Sequence, residues 1–77
     1  MSHAYVLINV ESGEEDDVLL ALEKIHNVEE SYFSYGVYDI IIKVKAESME
    51  KLKEMVTSKI RSLNLVRSTL TLIILKD

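Results

Sequence analysis

The stretch SYFSYGVYDI, Ser31 to Ile40, holds three of the chain's four tyrosines, one of its two glycines and an aspartate. This mixture suits a tight hairpin or a binding loop: glycine frees the backbone, phenol rings offer stacking surface, and a carboxylate accepts hydrogen bonds. Few other residues invite chemistry. The acidic run Glu14 to Asp17 can attract a cation, yet it lies where a helix should begin, and there its charges complement the partly positive helix end. The second reading is much the stronger. His3 and His26 are far apart in sequence and cysteine is absent, so no residues have metal-ligand spacing and neither a metal nor another cofactor is expected. His26 suits a helix C-terminus. No nucleophile stands beside a general base in a recognisable arrangement.

Composition bounds what these residues can serve. With 77 residues, 48% of them apolar, 29% charged and a net charge of -4, residues 1–77 should form one small globular domain. A domain this small buries only about 60% of its unfolded surface, so reinforcement usually comes from disulfides, a metal or a partner subunit. The first two are ruled against above, which leaves self-association. Apolar runs such as YVLI and LIIL fall far short of the roughly 20 residues that span a bilayer, and the N-terminus lacks a signal-peptide pattern. No membrane partner is expected, and the cytoplasm is the expected location. Nine basic residues, scattered among thirteen acidic ones, provide no footprint for a phosphate backbone, which argues against direct nucleic-acid binding.

The elements that would position the hairpin follow from periodicity. HAYVLINV suits a strand ending near Val10. Ser12 with Glu15 three residues later forms a capping-box pattern and predicts a helix running to about Ile25. Its Val18, Ala21, Leu22 and Ile25 face a sheet, while Leu20 lies on the opposite side. VEESYFSY and YDIIIKVKA flank Gly36-Val37, where a type II′ turn would join two strands with Glu30 opposite Lys43 and Phe33 opposite Ile40. Met49, Leu52, Val56, Ile60 and Leu63 mark a second amphipathic helix, with Ser48 as its N-cap and Lys59 and Arg61 near its C-terminal end. LVRSTLTLIIL supplies the last strand.

The order βαββαβ predicts an α+β ferredoxin-like sandwich: a four-stranded antiparallel sheet with two helices on one face. Taking Val6, Ile8, Leu70, Leu72 and Ile74 as helix-facing, alternation places Tyr5, Leu7, Tyr32, Ile41, Ile73 and Leu75 on the uncovered face. So much exposed apolar surface marks an interface, and a homodimer closed through the open sheet faces is expected, an assembly of the dimeric α/β-barrel type.

With these motifs placed, the chain from Ala4 to Leu75 resembles the effector-binding domain of the Lrp/AsnC regulators, often called the RAM domain. The hairpin YGVYDIIIKV is similar to the family's Gly-x-Tyr-Asp turn and following apolar strand. VRSTLTLII is similar to its Val-x-x-Thr-x-Thr pattern. Where the family usually has Pro-Gly after each helix, this chain has HNV and LNLV, departures that concern loop geometry. The resemblance implies a stand-alone form lacking the helix-turn-helix DNA-binding domain. It would sense a free amino acid or related metabolite, form a homodimer and a ring of dimers, and modulate transcription by associating with full-length Lrp/AsnC regulators. Carried over position by position, the effector site implied is Gly36, Tyr38 and Asp39 with Ser68, Thr69 and Thr71.

The chemistry of that set is coherent. A free amino acid needs an acceptor for its ammonium and donors for its carboxylate. Asp39 can supply the first; turn N–H groups and the hydroxyls of Ser68, Thr69 or Thr71 can supply the second; Tyr38 can cover the ligand side chain. A purely structural reading stands beside it: Gly36 serves the turn, Asp39 bonds nearby backbone N–H groups, and the threonines are ordinary strand residues. Cofactor-independent enzymes of the dimeric ferredoxin-like type, monooxygenases or isomerases, form the alternative functional class, because fold alone does not exclude them. Those need a polar pocket between helices and sheet, whereas the residues expected to face that layer are nearly all apolar.

Overall fold

The computed structural model describes residues 1–75. Its elements run β1 (Ser2–Val10), α1 (Glu15–Glu23), β2 (Val28–Phe33), β3 (Ile40–Ala46), α2 (Met49–Met55), which continues as a π-helical turn over Val56–Ile60, and β4 (Val66–Ile74). The sheet order is β2-β3-β1-β4 with every neighbouring pair antiparallel. This is the ferredoxin-like arrangement predicted from the βαββαβ order.

One face of the sheet is dry. Ala4, Val6, Ile8 and Val10 of β1 and Ile40, Ile42, Val44 and Ala46 of β3 are buried against Val18 and Leu22 of α1, Leu52 and Met55 of α2, and Val56 and Ile60 of the π turn. The period-2 alternation of the two central strands and the helical spacing of the apolar stripes are what meet there. Leu20 lies outside this core and is exposed.

The helix ends divide between expectation and correction. Ser48 caps α2 by accepting a hydrogen bond from the Lys51 N–H at 3.2 Å. Ser12 does not cap α1, which begins at Glu15 after Glu14 with no side-chain cap. The Glu14 N–H instead donates to the Glu11 carbonyl at 3.0 Å, closing a turn in which Gly13 has φ +83°. Glycine reaches that positive φ without strain, so Ser12-Gly13 makes the turn and the helix starts later.

The β2-β3 register is the expected one, with Glu30 opposite Lys43 and Phe33 opposite Ile40 and a bulge between Val28 and Glu30. The two-residue turn is not formed. β2 stops at Phe33 and β3 starts at Ile40, because Asp39 turns toward β1: its N–H donates to the Ile8 carbonyl at 2.9 Å, while its own carbonyl accepts from Ser34 at 2.8 Å. The wider loop pivots on Gly36, at φ +116°.

In β4 the predicted faces are reversed. Thr69, Thr71 and Ile73 pair with Ile8, Val6 and Ala4, which puts them on the helix side; Leu70, Leu72 and Ile74 pair with Leu7, Tyr5 and His3 on the open side. Ile73 accordingly packs against the core, and Leu70 and Leu72 are 43% and 49% exposed. Leu75 lies one residue past the strand and is exposed, so strand alternation no longer assigns it a face. The alternation of Leu70, Leu72 and Ile74 with Thr69 and Thr71 does not say which set faces the helices; only pairing with β1 decides that.

Candidate functional site

The end of the sheet where the last residues of β1 meet the first of β4 carries an irregularity that builds a cleft. Asn9 pairs with Ser68 but Val10 pairs with Val66, so Arg67 is the extra residue of a β-bulge. A bulge interrupts the ladder and re-aims its side chains. The Val10 N–H is taken by the Asp39 carboxylate, Oδ2 accepting at 2.9 Å. The bulged Arg67 points outward, its Nε 3.5 Å from Glu11 Oε2. Asn9 Nδ2 donates to Ser68 Oγ at 3.3 Å.

Around this bulge lies an open cleft of about 470 Å³ lined by Asn9, Ser12, Glu15, Asp39, Arg67 and Ser68, with Val37 at its rim. Asp39 also lines an adjoining hollow with Glu15, Asp16, Phe33, Ser34 and Tyr35. The cleft is chemically two-sided, with carboxylates of Glu15 and Asp39 and a guanidinium from Arg67. Hydroxyl and amide groups lie between them. Such a set complements a small molecule carrying both charges.

Of the residues singled out by sequence, Asp39 and Ser68 are brought together here. Gly36 and Tyr38 belong to the loop that carries Asp39. Thr69 and Thr71 are not in this cleft: they face α2 and line a different groove with Lys53, Thr57 and Arg61. Asn9, Ser12, Glu15 and Arg67 carry no site signal in the sequence. Glu15 sits in an acidic run that complements a helix dipole, and nothing in the local pattern of Arg67 announces a bulge.

The purely structural reading of Asp39 is also present in the molecule, since its carboxylate satisfies a backbone N–H. The two roles are compatible, because a carboxylate has acceptor capacity for more than one donor. Elsewhere, the exposed Tyr32 hydroxyl donates to Glu30 Oε1 at 2.7 Å, and this bond to a carboxylate raises the phenol's pKa. Among the described residues, no polar or charged residue is buried between helices and sheet, no group of acidic residues or histidines has metal-site geometry, and no helix is long and apolar enough to cross a membrane.

The family model described as the Lrp/AsnC ligand binding domain matches residues 3–77. The chain belongs to this family. It is 37% identical to the regulatory protein AsnC of Escherichia coli K12 over 59 residues, covering 77% of this chain and 39% of that protein. It is 32% identical to the HTH-type transcriptional regulator FL11 of Pyrococcus furiosus over 73 residues, covering 95% of this chain and 48% of the regulator. The chain thus spans less than half the length of these curated relatives. Among solved structures, FFRP-DM1 superposes with a TM-score of 0.93 at 34% identity, over 96% of this chain and 99% of that one. The matching family model describes a ligand-binding domain, and the curated relatives named above are regulators.

Proposed function

We propose that this Lrp/AsnC domain binds a free amino acid or closely related metabolite in the Asp39 cleft and is not an enzyme. The observation that carries the reading is the meeting of Glu15 and Asp39 with Arg67 and Ser68 around one bulge: acceptors for an ammonium and donors for a carboxylate line a single cleft. Gly36 and Tyr38 belong to the loop that carries Asp39, outside the cleft's lining, and would act by positioning that loop. The buried core between helices and sheet is apolar, which favours sensing over catalysis.

The same chain is proposed to form a homodimer through the open sheet face, with Tyr5, Leu7, Tyr32 and Ile41 joined by Leu70, Leu72 and Ile74. Dimers then associate into a ring whose contacts respond to ligand, since an effector shifts assembly only by binding one state more tightly than another. Association with full-length Lrp/AsnC regulators would carry that response to transcription.

Thermal unfolding against the twenty amino acids at millimolar concentration tests the site. Ligand at 100 times its Kd adds about 2.7 kcal/mol to stability. A shift confined to one chemical group of amino acids, lost in Asp39→Asn, is the expected result. The amide keeps an acceptor for the Val10 N–H, so a folded variant with undiminished affinity would remove Asp39 from the site.

A further inference from the structure

We propose that the groove between α2 and β4 is a second binding site, one for a small dianionic oxyanion. Its volume is about 360 Å³, and it is lined by Lys53, Val56, Thr57, Arg61, Thr69, Thr71 and Ile73. In a chain of net charge -4 this lining contains two cations, three hydroxyls and no carboxylate.

The donors are uncommitted. Among the described residues, Lys53 and Arg61 make no ion pair, and the side-chain hydroxyls of Thr57, Thr69 and Thr71 make no hydrogen bond within the chain. The other basic groove, on another side of the same helix, differs in this respect. Lys45, Lys51 and Lys59 line it together with Glu47 and Glu54, and Lys51 is already held by Glu47 at 2.9 Å. Thr69 and Thr71 are unusual for their place: on the helix side of the sheet they stand opposite Ile8 and Val6, both fully buried. The central strands put aliphatic side chains on this face, and β4 puts hydroxyls there.

Backbone irregularity assembles the rest. The Arg61 N–H donates to the Val56 carbonyl at 2.9 Å, closing a π turn instead of an α turn. Five residues along an ideal α-helix separate side chains by about 140° around the axis, so Val56 and Arg61 would face different ways. The wider turn brings Arg61 around toward Val56, above Lys53 and Thr57, into one lining. Single π turns inside α-helices occur frequently at functional sites.

The donor set selects the ligand class. An amino acid needs an acceptor for its ammonium, and this groove offers no carboxylate. A dianion meets two positive charges and three hydroxyl donors, through bonds of the charge-assisted kind. Phosphate monoesters and small dicarboxylates share this chemistry. The groove lies on the helix side of the sheet, so pairing of the open faces leaves it accessible.

The test is an amide chemical-shift titration of the whole chain, at constant ionic strength, with inorganic phosphate, glycerol phosphate and succinate in separate arms. Saturable shifts at Lys53, Thr57, Arg61, Thr69 and Thr71 are expected, and the tighter arm identifies the source. The exposed double variant Lys53→Gln/Arg61→Gln should weaken binding at least about tenfold, and Thr71→Val, which preserves shape, should weaken it several-fold. Shifts that track ionic strength alone, or binding unaltered in the double variant, overturn the site. An amino-acid titration run beside them reads the Asp39 cleft independently, so failure of one site is distinguishable from failure of the other.

Discussion

Ser68 and Thr69 are neighbours in sequence but serve different parts of the molecule. Ser68 joins Asn9 at the Asp39 cleft, while Thr69 turns toward α2 and the Lys53–Arg61 groove. The cleft mixes acids with a guanidinium and so suits a zwitterion; the groove has cations and hydroxyls alone and so suits an anion. Along a strand, adjacency in sequence means opposition in space, and one Ser-Thr step divides two chemistries.

The largest effect should come from outside both sites. Leu72→Lys on the open face would bury an unpaired charge in the proposed dimer, weakening association by about a hundredfold or more, with no change in fold. Sedimentation velocity reads this, and an unchanged distribution would remove the open face from the interface. If the cleft depends on assembly while the groove belongs to one chain, this variant should lose amino-acid response and keep oxyanion binding.

Asp39→Asn and Arg61→Gln sharpen the contrast directly. Each should lower affinity for its own ligand class by about tenfold and leave the other within error, as expected for loss of one charge-assisted bond. Calorimetric titration of both ligands into both variants makes the comparison. Equal losses in all four measurements would mean a single electrostatic surface, not two sites.

Gly36→Ala probes the positioning of Asp39. No atom crowds the added methyl, but φ +116° strains any residue with a Cβ, so the loop should lose about 1 kcal/mol and amino-acid affinity should fall while the groove is unaffected.

The smallest effect concerns the paired lysine that distinguishes the other basic groove. The hydrogen bond and charge from Lys51 hold the Glu47 pKa below its ordinary value, and Glu47 correspondingly raises that of Lys51. On the Glu47 side, the stabilisation is present above the ordinary glutamate value and lost as pH falls through the lowered one. Urea midpoints of the parent and Glu47→Gln should therefore differ slightly at neutral pH and converge in acid. A difference that persists in acid would assign it to something other than this pair.

Much of the architecture was legible because periodicity records burial. Val18 and Leu22, the alternation through Ile40, Ile42 and Val44, and the Ser48 cap each have one physical reading, and the structure follows it. Glu30 opposite Lys43 was legible for the same reason, since cross-strand pairs fix register even when the turn between them differs. Ser12 failed as a cap because Gly13 beside it favours a turn, a competition the capping pattern does not contain. Of the cleft, Asp39 and Ser68 could be named from motif positions; Arg67 and Glu15 could not, because one depends on a bulge and the other on which helix end meets it.

The sequence by itself determined the βαββαβ order, the core stripes and the family, since these rest on local patterns of side-chain chemistry. Tertiary structure alone decided which face of β4 each residue takes, that Arg67 is bulged, and that a π turn gathers Arg61 with Lys53. Alternation along a strand carries no local sign of which face meets the helices, and bulges and π turns arise from pairing and packing between segments far apart in the chain.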